Sequence, residues 1–152
     1  MIPHRTSSSS ADPGVAGGVR LVLRLEGLAA FFVATALYWQ TGYGWGVFAL
    51  GFFVPDLAIA AYLAGSRVGA IAYNCTHSFL GAVLALLASV YFTSPELFAA
   101  GLIWCAHIGF DRTLGYGLKY TTGFAHTHLG GIGRSDDSAP ATASTRPTDL
   151  HA

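Results

Sequence analysis

Four apolar runs, separated by short polar breaks and bracketed by two polar stretches, organise the chain. The first runs from about Val19 to Tyr38 and carries Arg20, Arg24 and Glu26 at its start. Gln40-Thr41-Gly42-Tyr43-Gly44 is turn-prone. A second run follows from about Trp45 to Leu63, interrupted at Pro55-Asp56 and closed by Gly65-Ser66-Arg67. The third, from about Val68 to Phe92, holds Tyr73, Asn74, Thr76, His77 and Ser78 in its first half and is nearly pure aliphatic in its second. Ser94-Pro95-Glu96 then reads as an N-cap, a proline at the first helical position and an acid in the first turn. The fourth run starts at Pro95 and reaches about Phe110. A membrane of ~30 Å calls for about 20 residues, so this helix is expected to continue through Asp111 and Arg112 toward Leu114.

The runs predict an all-α fold, a polytopic membrane protein built as a four-transmembrane-helix bundle over residues 19–133, with a glycine- and histidine-bearing loop at its end. Residues 1–18 and 134–152, rich in serine, proline and small residues, are expected to be disordered tails. Basic residues ahead of an apolar stretch are also a signal-peptide feature, but Glu26 falls where such a peptide needs its apolar core, so the first run is read as a retained helix.

Composition agrees: 53% of the residues are hydrophobic and 11% charged, and the mean hydropathy is +0.50. Soluble domains carry about 25% charged residues. The formal net charge is zero, and the placement of the charges is more informative. All eight basic residues fall on one side of a four-span topology: Arg5, Arg20 and Arg24 before or within the start of the first span, Arg67 between the second and third, and Arg112, Lys119, Arg134 and Arg146 after the fourth. The positive-inside rule then puts both termini in the cytoplasm of a cell with an inner (plasma) membrane. The lipid bilayer is the expected partner, a second copy of the chain is a candidate one, and no nucleic-acid partner is expected. Cys75 and Cys105 lie in apolar runs, where a thiol behaves as a small hydrophobe.

With the orientation set, helical rise gives depth. His107 lies about 7–8 Å in from Arg112, His77 about 15 Å from Arg67, and Asp56 about 16 Å from it. Glu26, Asp56, His77, His107 and Asp111 therefore occupy the cytoplasmic half or the middle of the bundle. Ionisable groups in hydrocarbon cost a few kcal/mol each, so they turn inward and find one another. His107 and Asp111, four residues apart, leave one helix face about 5–6 Å from each other. Asn74, His77 and Ser78 have the spacing of another such face. Imidazole with carboxylate suits zinc, manganese or iron better than magnesium or calcium.

The order of motifs is specific. Arg24-Leu25-Glu26-Gly27, Val54-Pro55-Asp56-Leu57, Tyr73-Asn74 with Thr76-His77-Ser78, Trp104 with His107-Ile108-Gly109-Phe110-Asp111-Arg112, Gly115-Tyr116-Gly117-Leu118-Lys119-Tyr120 and Thr127-His128-Leu129-Gly130 together closely resemble a bacterial family of small integral membrane proteins, domain-of-unknown-function family 4260. That resemblance implies a membrane fold and brings no activity. Proline-aspartate, threonine-histidine-serine and histidine-x-x-x-aspartate in this order also resemble the membrane-bound metal-dependent hydrolases of bacteria. This second likeness implies metal-ligand or catalytic roles for Asp56, His77, His107 and Asp111. The chain departs from that pattern before Thr76, where Tyr73-Asn74-Cys75 replaces a histidine-arginine pair.

The residues leave several readings open. A divalent-metal site of Asp56, His77, His107 and Asp111 would make a membrane hydrolase acting on a lipid, ester or phosphoester, with Glu26 as candidate base and Arg112 as candidate anion contact. His77 and His107 on neighbouring helices are instead the axial pair of a haem electron carrier, though their estimated depths differ by about 7 Å. The same groups form a proton or metal-ion relay in a small transporter, or simple packing pairs. His126 and His128 are candidates to cap the pocket, and more readily a surface feature. The glycines at 115, 117, 130, 131 and 133 make no phosphate-binding fingerprint. Gly115 to Tyr120 is expected to re-enter the interface, with Tyr116 and Tyr120 at headgroup level and Lys119 toward phosphate.

Overall fold

The computed structural model describes residues 17–121, 126–127 and 129–131; the two tails expected to be disordered lie almost wholly outside these. The elements are α1 (Gly17–Trp39), α2 (Trp45–Phe52), a 3-10 helix (Val54–Ala64), α3 (Ser66–Thr76), α4 (Phe79–Tyr91), α5 (Pro95–Leu114) and two short strands, β1 (His126–Thr127) and β2 (Gly130–Gly131). Apart from that antiparallel pair the described chain is helical. Gly17–Trp39 and Trp45–Ala64 are long and apolar enough to cross a membrane, and α3 with α4, bent by 41°, makes a third such stretch if taken as one span. Leu21, Leu50, Leu63, Leu87 and Val90 are among many large apolar side chains left exposed, a surface suited to hydrocarbon.

The second run changes helix type at Pro55. Proline removes a donor, and from Val54 to Ala64 the backbone winds as a 3-10 helix. At the steeper 3-10 rise its 11 residues cover about 22 Å. Together with α2 the run reaches about 34 Å, enough for the ~30 Å of hydrocarbon. This segment packs on α3, where the Tyr62 ring lies directly on Gly69.

α5 is the central element, with α1, α2 and α4 all packing on it. Ser94 caps it as expected, its hydroxyl accepting from Leu97 N–H at 3.2 Å, and the helix runs through Asp111 and Arg112 to Leu114 before the left-handed Gly115 ends it. Glycine lets α1 come close: a Cβ on Gly109 would stand 2.7 Å from both the Gly27 carbonyl and the Phe31 nitrogen. Close backbone approach over glycine is the usual way membrane helices gain contact. On the side of the α1–α2 turn, Tyr38, Ala99, Leu102 and Ile103 form an apolar core with Phe48, Phe52 and Leu86 against it.

The third run is not the continuous helix that its pattern suggests. α3 stops at Thr76, His77 leaves helical geometry (φ −108°, ψ 12°), and Ser78 starts α4 as its N-cap, accepting from Leu80 N–H. Asn74, His77 and Ser78 therefore do not share a helix face. Asn74 instead turns to the loop, donating to the Lys119 carbonyl at 2.9 Å and accepting from Lys119 N–H at 2.7 Å.

Candidate metal centre

The break at His77 is held open by α5. Trp104 Nε1 donates to the Thr76 carbonyl, and Arg112 Nη2 donates to the His77 carbonyl at 2.9 Å. Two carbonyls that a continuous helix would bond internally are thus satisfied by side chains. The Thr76 hydroxyl contacts the Pro55 carbonyl at 3.2 Å, tying the break to the start of the 3-10 helix. These ties bring the Pro55-Asp56 step, His77 and α5 to one place.

Four ionisable side chains meet there. His77 Nε2 and His107 Nε2 are 3.1 Å apart. Asp56 Oδ1 lies 3.4 Å from the first and 3.7 Å from the second, and Asp111 Oδ2 lies 3.6 Å and 3.9 Å from the same two nitrogens. Asp56, His77 and His107 present ligand atoms that all lie within 4.8 Å of one another; Asp111 approaches both imidazoles beside them. Both histidines are fully buried, whereas the Asp56 side chain is 39% exposed and that of Asp111 14%. The open side of the cluster is at Asp56.

The tautomer of His77 follows from its partners. Its Nδ1 lies 3.0 Å from the Tyr73 carbonyl, which can only accept, so Nδ1 carries the proton and Nε2 presents a lone pair. The Tyr73 ring stacks on the His77 imidazole with centroids 3.7 Å apart, and its hydroxyl reaches Asp111 Oδ2 at 3.4 Å. His107 is oriented by packing: the Phe52 ring meets it edge-on at 5.2 Å, and its Nδ1 has no hydrogen-bond partner among the described residues.

Two imidazole nitrogens and two carboxylate oxygens converge here, a donor set that could hold a metal ion. Four ligands at 2.0–2.2 Å around a tetrahedral zinc stand roughly 3.3–3.6 Å from one another. The 3.1–3.7 Å among Asp56, His77 and His107 is close to that spacing for three ligands; Asp111 lies 3.6 Å and 3.9 Å from the two nitrogens but outside the group whose ligand atoms are all within 4.8 Å of one another. The haem reading fares worse, because imidazole nitrogens 3.1 Å apart leave no slot for a macrocycle between them. The estimated difference in depth between His77 and His107 is also overturned. It assumed a straight third helix, and the break lets the His77 ring reach the level of His107.

The other expected site residues are placed differently. Glu26 is exposed on α1 and stands apart from the three-residue group, since its neighbour Gly27 is the position turned to α5. Arg112 is beside the cluster, with Nη1 donating to the Tyr116 carbonyl at 2.7 Å and Nη2 to His77; its first duty is to clamp backbone. Lys119 does not point to headgroups. It is buried, its ammonium lies 4.7 Å from the centre of the Tyr73 ring, and burial pushes its pKa down while Asp111 opposes that shift. An isolated bridge pairs Lys119 with Thr127, and Asn74 ties Lys119 to α3, while Tyr116 and Tyr120 are exposed. His128 and the side chain of His126 lie outside the described residues. Tyr73 is a neighbour of the centre whose role the sequence did not assign, and Lys119 one whose place it put at the interface instead.

No curated protein and no solved structure matches the chain, so the likeness to metal-dependent hydrolases remains one of motif order. The family is plain: the model of the domain of unknown function DUF4260 matches residues 20–132, and the chain belongs to that family.

Proposed function

We propose that this chain is a multi-pass protein of the inner (plasma) membrane, a four-span bundle of α1, α2 with the 3-10 helix, α3 with α4, and α5, with both termini cytoplasmic. It holds a divalent transition metal, zinc, manganese or iron, between Asp56, His77, His107 and Asp111. The observation that carries this reading is the pair of imidazole nitrogens 3.1 Å apart and flanked by two carboxylates, a charge arrangement that a divalent cation neutralises. The one-sided arginines support the orientation.

The chemistry such an ion supplies is activation of a bound water for attack on an ester or phosphoester. Asp56, the exposed member, marks the side from which water arrives, and its carboxylate is the candidate to take a proton in the role first considered for Glu26. Arg112 is the nearest fixed cation for an anionic group. The reading is therefore a metal-dependent hydrolase of the inner leaflet.

The test is element analysis with a visible spectrum on detergent-purified protein, beside His107→Ala, Asp111→Ala and a His77→Ala/His107→Ala double variant. About one metal per chain, without a Soret band and lost in the variants, is expected. A folded wild-type protein with no metal, or variants that keep it, would overturn the metal centre, and a histidine-dependent Soret band would replace it with haem.

A further inference from the structure

One stripe of α5 carries more than the metal ligands. Glu96, Ala99, Ala100, Ile103 and Trp104 line a cleft of about 540 Å³, and the same i, i+3, i+4 progression continues into His107 and Asp111. From Glu96 to Trp104 the cleft follows the helix for about 12 Å. Its opposite wall is Val47, Gly51, Val54 and Pro55, which ends one residue short of Asp56. Thr76, one residue before His77, closes the same end. The cleft thus runs from the α1–α2 turn to Pro55, Thr76 and Trp104, residues that neighbour the ligands Asp56, His77 and His107 along the chain.

The walls specify the chemistry of what fits. The Thr76 hydroxyl is taken by backbone carbonyls and the Trp104 N–H by the Thr76 carbonyl. The long middle of the cleft therefore offers nothing to a polar ligand, and its volume falls within the ~300–1,000 Å³ usual for small-molecule sites. Its side is open where Val47, Val54 and Ala100 are exposed, on a surface that also shows Trp45, Leu50 and Phe53. Entry is from hydrocarbon, not from water. Charge sets direction: the Glu96 carboxylate, held by the Ser94 hydroxyl at 3.0 Å, repels a phosphate at the far end, while the cation-binding cluster attracts one at the near end.

We infer that this cleft holds the acyl chain of an inner-leaflet lipid, methyl end toward Tyr43 and Glu96, with the lipid's ester or phosphoester end presented to the centre at Asp56. The assignment of the head end rests on the metal-centre reading; occupancy of the cleft by an acyl chain does not. A lipid ester is then the substrate class, and the apolar tail is the part by which it is selected and aligned.

The test uses the full chain in phosphatidylcholine vesicles that carry a single-chain lysophospholipid with a photoactivatable diazirine, either near its methyl end or beside its carbonyl, with cross-links mapped by mass spectrometry. The methyl-end label is expected on Val47 and Ala100, and the carbonyl-side label on Val54, Thr76 and Trp104. Ala100→Trp and, separately, Val47→Trp should abolish both patterns while keeping the metal content of the parent protein. Asp56→Asn should lose the metal and keep the labelling. Labelling no denser in the cleft than on the lipid-facing α4 positions Leu84, Leu87 and Val90, or the two labels in reversed order, overturns the inference. Cleft labelling in a wild-type protein without metal would uphold acyl binding and overturn the metal centre alone.

Discussion

Replacing Gly109 by alanine tests whether close contact between α1 and α5 sets the geometry of the site. The added Cβ would lie 2.7 Å from the Gly27 carbonyl oxygen and 2.7 Å from the Phe31 nitrogen, both backbone atoms that no rotamer change can move. Ordinary contact begins near 3.5 Å, so the two helices must part by roughly 0.8 Å. Overpacking of this kind costs about 1–3 kcal/mol, and the better helix propensity of alanine returns about 0.8–1.0 kcal/mol. The expected net loss is about 0–2 kcal/mol, centred near 1 kcal/mol. Because Gly109 lies between His107 and Asp111, the same displacement should weaken metal binding. The assay is reversible unfolding in mixed micelles by added dodecyl sulfate, followed by tryptophan fluorescence, with metal content measured on the same samples. Gly46→Ala is the control, since a Cβ there meets nothing within 4 Å, and it should be neutral or slightly stabilising. A Gly109→Ala protein as stable and as metal-rich as the parent would refute the argument.

Other consequences are as direct. Trp104→Phe leaves the Thr76 carbonyl without its donor and should cost about 1–3 kcal/mol in the same unfolding assay. Tyr73→Phe removes the hydroxyl that reaches Asp111 and should weaken metal affinity by about tenfold or more without loss of folding, read by competition with a chromogenic chelator. Metal at about 100 times its dissociation constant should stabilise the parent by about 2.7 kcal/mol, a rise in melting temperature that chelation reverses and His107→Ala lacks. Asn74→Ala, which frees the loop at Lys119, should raise proteolytic nicking after Gly115 while leaving metal content unchanged.

Local signals in the sequence were reliable where the chain itself supplies the partner. The Ser94-Pro95-Glu96 start of α5, its extension to Leu114 and the His107–Asp111 pair depend on residues within one or two turns, and each is where the pattern put it. The break at His77 was hidden because neither glycine nor proline marks it. Its stabilising donors, Trp104 and Arg112, lie 28 and 35 residues further along. Asp56 and Glu26 looked alike as acids in apolar runs, and only the rotation of each helix about its axis separates them. Gly27 must face α5, which turns Glu26 outward; Pro55 packs inward and leads Asp56 to the histidines. Lys119 was read from its position after the last span, where cations usually meet headgroups, but Asn74 and Tyr73 draw it inside.

The division of the ligands between early and late helices also has a consequence for how the protein is made. Asp56 and His77 leave the ribosome before α5, and a chain that stops short of α5 has one imidazole and one carboxylate at the future centre, too few to retain an ion. His107 and Asp111 arrive together on α5, the helix on which α1, α2 and α4 pack. On the function proposed above, metal capture would follow packing of α5, and the ion would lock an assembly that a chain ending before α5 cannot reach.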